Sequence, residues 1–187
     1  YNLAKNILST GLYQDNGTGS TIIPSIPYLL YFTSFINGEI QIWLVRLLSS
    51  LGLITGLCFF YKYLILKNKG HLSFIIPLIL INHTFLAASG SLYPDALIFM
   101  FTWIFVYFAS QENFFKKRNN LFLVVISIVG LFYLRYIYLF IYPILFYYVN
   151  KKSIFSFDLK KILEPKKFYI YIIASLSVII PWLLYMV

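Results

Sequence analysis

Acidic residues are scarce in this chain: six Asp and Glu stand against fifteen Lys and Arg, which gives a formal net charge of +9. Charged residues make up 11% of the sequence, whereas soluble globular domains carry about 25%. Hydrophobic residues make up 60%. A chain this apolar is not expected to fold as an ordinary soluble domain, and its composition predicts an integral membrane protein that is all-α and polytopic.

Cysteine and the common catalytic motifs are also scarce. Cys58 is the one cysteine, so the chain has no partner for an intramolecular disulfide, and its place inside an apolar run favours a packing role. We find no glycine-rich phosphate loop, no zinc-ligand spacing and no serine-nucleophile motif. Redox chemistry is therefore not indicated.

The basic residues are distributed in a way that argues against nucleic-acid binding. They fall mainly in short loops between apolar runs, which is how the cytoplasmic loops of membrane proteins are marked. We therefore expect the lipid bilayer as a partner and no nucleic acid.

Apolar runs alternate with basic loops, and this pattern predicts about six spanning helices. Residues 1–38 are expected to form an outer juxtamembrane loop with short helices, and residues 40–187 the transmembrane helices of a single domain. Four runs are each predicted to cross once: residues 40–61, 72–88, 96–109 and 168–187. Because the sequence begins at Tyr1 rather than Met and ends within an apolar run, we expect it to be a fragment.

The run at residues 121–149 needs a different interpretation. It is long for one span, and basic loops precede and follow it, so the chain should cross an even number of times there. We predict a hairpin of two short helices with Arg135 at its tip. A single tilted helix is the alternative, and it would place Arg135 in mid-bilayer at a cost of at least about 2.5 kcal/mol.

This topology leaves few charges on the outer side of the membrane. They are the basic residues Lys5, Arg46 and Arg135 and the acidic residues Asp15, Glu39 and Asp95. One interpretation is that Arg46, Arg135 and Asp95 are helix-end anchors that reach the membrane surface. The other is a charged functional site at the outer face. For Asp95 the anchor role is the start of a helix, where the dipole favours a negative charge by about 0.3–1 kcal/mol.

Several short stretches occur in a characteristic order. They are residues 1–13, the proline-led segment 23–30, Trp43 to Ser49 around Arg46, Tyr93-Pro94-Asp95-Ala96-Leu97, and Gly130-Leu131 followed by Arg135. In this order they resemble the GT-C superfamily of integral-membrane glycosyltransferases, in particular the relatives of protein O-mannosyltransferases and aminoarabinose transferases. Two departures stand out. Arg135 occupies a position where lysine is usual, and the family's first acidic motif, the usual catalytic base, would lie before Tyr1.

The resemblance implies a multi-pass glycosyltransferase of the prokaryotic plasma membrane. Its donor would be a polyprenyl-phosphate-linked sugar and its acceptor a protein or a glycolipid at the outer face. Arg46, Arg135 and Tyr93 would bind the donor, since the arginine fork suits phosphate oxygens. Asp95 would be catalytic, by taking a proton from the acceptor hydroxyl or by holding a divalent metal ion.

Two other functions remain open for a chain of this kind. One is a transporter or flippase for lipid-linked oligosaccharide, and the other is a lipid-linked polysaccharide polymerase. Transporters usually place ionisable residues near the midplane and show internal repeats. Here the outer charges are expected to cluster at one face, which favours the transferase.

Overall fold

The computed structural model describes residues 2–10, 14–15, 18–19, 25–36, 38–82, 87, 94–111, 117–135, 172 and 175–176. They belong to two compact units that divide after Met100. The α-helices with described bounds are α1 (Asn2–Thr10), α2 (Ser25–Thr33), α3 (Ile42–Leu66), α4 (Ile75–Ile81), α5 (Asp95–Ala109) and α6 (Arg118–Leu134). A 3₁₀ helix, Gly70–Phe74, precedes α4. The described part of the chain is thus predominantly α-helical, as predicted.

Two short strands are the exception to the helical architecture. Strands β1 (Gln14–Asp15) and β2 (Thr18–Gly19) pair in antiparallel fashion, with Asp15 opposite Thr18. The sequence places Asn16-Gly17 between them, the dipeptide that most favours a two-residue hairpin loop. We predicted a loop in this part of the chain and did not predict the two strands, although the Asn-Gly dipeptide favours a hairpin.

Helix α3 is long and apolar enough to cross a membrane, and among the described residues it alone meets both criteria. Its 25 residues extend over about 37 Å, which exceeds the roughly 30 Å of a bilayer's hydrocarbon core. The prediction that this run ends at residue 61 was wrong, because the helix continues to Leu66 and includes Lys62. Lysine has a high helix propensity, so a lysine by itself does not end a helix.

The end of α3 is set by a left-handed residue. Asn68 has φ 56°, a conformation that asparagine tolerates better than most residues. The N–H of Lys69 then donates to the carbonyl of Leu64 at 2.8 Å, and that of Asn68 to Ile65 at 2.9 Å. These are the two hydrogen bonds of a Schellman motif, which terminates the helix and satisfies its last carbonyls.

The predicted span at residues 72–88 is not one continuous helix. It starts with the 3₁₀ helix, and α4 ends at Ile81 because Asn82 adopts an extended conformation with ψ 113°. Asparagine is a weak helix former because its side chain competes for backbone hydrogen bonds. Most residues between 83 and 93 lie outside the described part of the chain.

The first unit has a small core where α1 and α2 meet the start of α3. Ala4, Leu30 and Val45 are buried together there. The hydroxyl of Thr33 donates to the carbonyl of Leu30 at 2.6 Å and accepts the backbone N–H of Gln41 at 2.7 Å. This hydroxyl therefore fixes the last turn of α2 to the residue that precedes α3.

A second core of the first unit joins α3 to the beginning of α5. Leu53, Leu57 and Ala96 are buried in it, and Ile76 and Ile79 of α4 pack against them. The predicted bounds of α5, residues 96–109, agree with the observed Asp95–Ala109 to within one residue.

In the second unit, α6 packs in antiparallel fashion on the C-terminal part of α5. The amide of Asn120 donates to Gln111 at 2.7 Å. Farther along the pair, a Cβ added to Gly130 would lie 2.7 Å from Phe101 Cε2, so the helices are in close contact there. This antiparallel arrangement agrees with the predicted reversal of direction between the two runs.

Helix α6 ends at Leu134, and Arg135 is extended with φ −154° and ψ 117°. A continuous helix over residues 121–149, which was the alternative interpretation, is therefore not formed, and α6 ends where the tip of the hairpin was predicted. The second arm of the predicted hairpin lies outside the described residues. So does nearly all of the predicted last span, residues 168–187.

Candidate functional site

Arg46 lies in the second turn of α3, on its exposed side. Val45 and Ser49 face the core at 2% and 1% exposure, so the helical period turns Arg46 outwards. Trp43, about one turn before Arg46, and Leu47, the next residue, are also exposed. Arg46 is thus exposed on the same part of α3 as an aromatic and an aliphatic residue, near one end of the candidate span.

A short hydrogen-bond chain orders the start of α3 next to Arg46. The indole N–H of Trp43 donates to Gln41 Oε1 at 2.9 Å, and the amide of Gln41 donates to the carbonyl of Glu39 at 3.3 Å. Together with the contact from Thr33, these bonds hold the entry to the helix in one conformation. Arg46 therefore projects from an ordered helix end rather than from a loop.

Asp95 is the first residue of α5 and is exposed. The carbonyl of Pro94 accepts the N–H of Ile98 at 2.8 Å, so Pro94 occupies the N-cap position. The carboxylate of Asp95 lies at the positive end of the helix dipole, as the sequence predicts.

Arg46 and Asp95 lie at the same end of a parallel helix pair. A Cβ added to Gly52 would lie 2.9 Å from Leu97 Cδ2, and one added to Gly56 would lie 3.1 Å from Met100 Cα. Contacts that advance together along both helices define a parallel pair. Arg46 precedes Gly52 by about 9 Å along the axis, and Asp95 directly precedes this contact on α5. Asp95 therefore lies one to two turns deeper than Arg46.

The close contact between α3 and α5 depends on small residues, which the charge pattern did not identify. Gly52 and Gly56 have the small-xxx-small spacing that lets helices approach closely in membranes, and this spacing was readable in the sequence. Ser49, one turn before Gly52, is buried, and its Oγ has no hydrogen-bond partner within the described part of the chain. The sequence does not distinguish Ser49 from its neighbour Ser50, because serines are common in apolar helices.

The other two predicted site residues do not belong to this helix pair. Arg135 is exposed at the C-cap of α6, in the second unit, at the opposite end of that helix from Lys117 and Arg118. Tyr93 lies outside the described residues. Among those that are described, no three His, Cys, Asp or Glu side chains form a group that could hold a metal ion.

Comparison with known proteins identifies no similar protein. No protein-family model matches the chain, and neither a curated protein nor a solved structure matches it. The resemblance drawn from the short motifs therefore stays a prediction.

Proposed function

We propose that this chain is part of a multi-pass membrane glycosyltransferase. It transfers a sugar from a polyprenyl-phosphate-linked donor to a protein or glycolipid acceptor at the outer membrane face. The observation that carries the proposal is the parallel contact of α3 and α5, which puts the exposed Arg46 and Asp95 at one end of a helix pair.

The two charges have complementary uses in such a reaction. The arginine fork binds two phosphate oxygens at once and stays charged next to lipid. A carboxylate can take a proton from the acceptor hydroxyl as that oxygen bonds to the sugar and the bond from the sugar to the phosphate breaks, which releases polyprenyl phosphate. In this proposal Arg46 binds the donor phosphate, and Asp95 acts on the acceptor hydroxyl.

The surroundings of Arg46 favour a phosphate that carries a lipid chain. The exposed apolar residues of α3 continue from Trp43 and Leu47 through Leu51 and Ile54. A phosphate held by Arg46 would have its hydrocarbon chain along this strip of the helix, inside the bilayer. A soluble sugar nucleotide would gain nothing from such a strip.

Donor saturation in a transfer assay tests the role of Arg46. The assay uses the full-length protein. In liposomes with a labelled polyprenyl-phosphate sugar, Arg46→Ala should raise the KM for the donor about 10- to 100-fold, the usual loss for a charged hydrogen bond.

Arg46→Lys should recover part of this loss, and Lys5→Ala, a basic residue on the same predicted side, should leave the KM unchanged. An unchanged KM in a folded Arg46→Ala variant would remove Arg46 from the donor site. No transfer by the wild-type chain from any polyprenyl-phosphate sugar would refute the proposed function itself.

A further inference from the structure

A cluster of exposed basic residues surrounds the C-terminal end of α3, far from Arg46 and Asp95. We call it the basic cluster, and it consists of Lys62, Lys67, Lys69 and His71, all exposed. The sequence contains no Asp or Glu between Glu39 and Asp95. The positive charge of this cluster is therefore not offset by a carboxylate close in the sequence.

Aromatic rings hold two of these lysines in place. Lys62 Nζ lies 5.2 Å from the centroid of the Phe59 ring, and Lys67 Nζ lies 5.9 Å from that of Tyr63. Cation–π contacts at this range restrict a lysine but leave its ammonium hydrogens available to other acceptors. The Schellman motif fixes the backbone of Lys67 and Lys69 in addition. These contacts restrict the side chains of Lys62 and Lys67 and the backbone of the turn that follows α3.

Apolar side chains lie next to the charges on the side of the candidate span. Tyr61, Ile65 and Leu66 of α3 are exposed, and so are Phe74 and Leu78 after the turn. A soluble anion would leave these side chains in water. A lipid covers both parts at once, with its chains against the apolar residues and its headgroup at the lysines.

We propose that the basic cluster binds the phosphate headgroup of an anionic phospholipid in the leaflet at this end of α3. The length of α3 places the cluster at a membrane surface when the helix crosses the bilayer. A nucleic acid is disfavoured because the exposed apolar residues adjoin the charges. The inference depends on insertion of α3 in a membrane and not on glycosyl transfer, so either proposal can fail without the other.

Lipid retention in nanodiscs measures the binding. The chain is reconstituted in phosphatidylcholine containing 30 mol% phosphatidylglycerol, and the lipids that stay bound after release from the disc are counted by native mass spectrometry. The test variant is K62Q/K67Q/K69Q. The matched control is K116Q/K117Q/R118Q, which removes the same number of positive charges from another basic loop.

We expect the wild type to retain phosphatidylglycerol in preference to phosphatidylcholine. Each lysine near an anionic surface contributes about fivefold, so the test variant should lose most of this preference and the control should keep it. If the triple variant does not fold, Lys67→Gln alone should give about a fivefold loss.

Three results would overturn the inference. They are equal phosphatidylglycerol retention in the wild type and the folded test variant, an equal loss in the matched control, and displacement of the lipid by millimolar glycerol phosphate. The second would indicate diffuse attraction to the membrane, and the third a site for soluble anions.

Discussion

Gly56 and Phe99 lie so close that a side chain on Gly56 has no room. A Cβ built there would lie 2.5 Å from Phe99 Cδ1 and 3.1 Å from Met100 Cα. Together with the contact at Gly52, this approach sets the register between α3 and α5. The register in turn decides that Arg46 and Asp95 lie at the same end of the pair.

Replacing Gly56 by alanine should destabilise the protein. Alanine is about 1 kcal/mol better than glycine in a helix, so any net loss must come from overpacking against Phe99 and Met100, which costs about 1–3 kcal/mol. We expect a net loss near 1 kcal/mol, measured as unfolding in detergent with increasing denaturant. Gly70→Ala is the control, because no heavy atom lies within 4 Å of its added Cβ. Wild-type stability of Gly56→Ala would show that the helices are not in this contact.

Ser49→Ala should stabilise the protein by about 1 kcal/mol. The change removes a buried hydroxyl that has no hydrogen-bond partner among the described residues, and with it a desolvation cost. Ser50→Ala provides the comparison, since it brings the same gain in helix propensity but removes a hydroxyl that donates to the Arg46 carbonyl at 3.1 Å. Unfolding of the two variants under the same conditions should place Ser49→Ala above Ser50→Ala, and the reverse order would mean that Ser49 has a partner in the membrane.

The start of α5 could be predicted from the sequence, whereas the ends of α3 and α4 could not. Pro94 and Asp95 form a strong local start signal, and they placed the helix to within one residue. The end of α3 depends on the left-handed conformation of Asn68, and α4 stops at Asn82. A polar residue in an apolar run is compatible with a helix that continues or ends, so hydropathy alone cannot locate such ends.

The charged residues of the candidate site could be proposed from the sequence, whereas the glycines that bring its helices together were not recognised. Arg46 and Asp95 were identified because charges are rare in this chain, and both are exposed at the same end of the helix pair. Gly52 and Gly56 were missed although their spacing is a known packing signal. Which helix packs against them depends on tertiary structure, and no local pattern supplies that partner.

Surface labelling should test the predicted sidedness. In a Cys58→Ala background, single cysteines at Asn16 and Ser91 should react with an impermeant thiol reagent added outside intact cells. Those at Asn68, Asn119 and Ser156 should react only after the membrane is opened. Labelling of Asn119 without Ser91 would invert the topology and place Asp95 on the cytoplasmic side.

Arg135 should contribute to donor binding through its charge. Arg135→Ala should weaken use of the polyprenyl-phosphate donor strongly, while Arg135→Lys, the residue usual in the resembling family, should keep much of the activity. Initial rates over a range of donor concentrations give the comparison. Since Arg135 is exposed at the end of α6, neither change should affect stability by more than about 0.5 kcal/mol. Equal activity of the alanine and wild-type proteins would leave Arg135 as a helix-end anchor.

The role of Asp95 in sugar transfer is the most direct test of the account, and the measurement is kcat and KM for Asp95→Asn with the donor in liposomes. A group that acts in the transition state affects kcat more than KM, and loss of a general base lowers rates about 10²- to 10⁴-fold. We predict a fall in kcat of at least 100-fold with a nearly unchanged donor KM, while Glu39→Gln, an exposed acid near the start of α3, keeps wild-type values. A folded Asp95→Asn protein that transfers sugar at the wild-type rate would contradict the account and leave Asp95 as the N-terminal charge of α5.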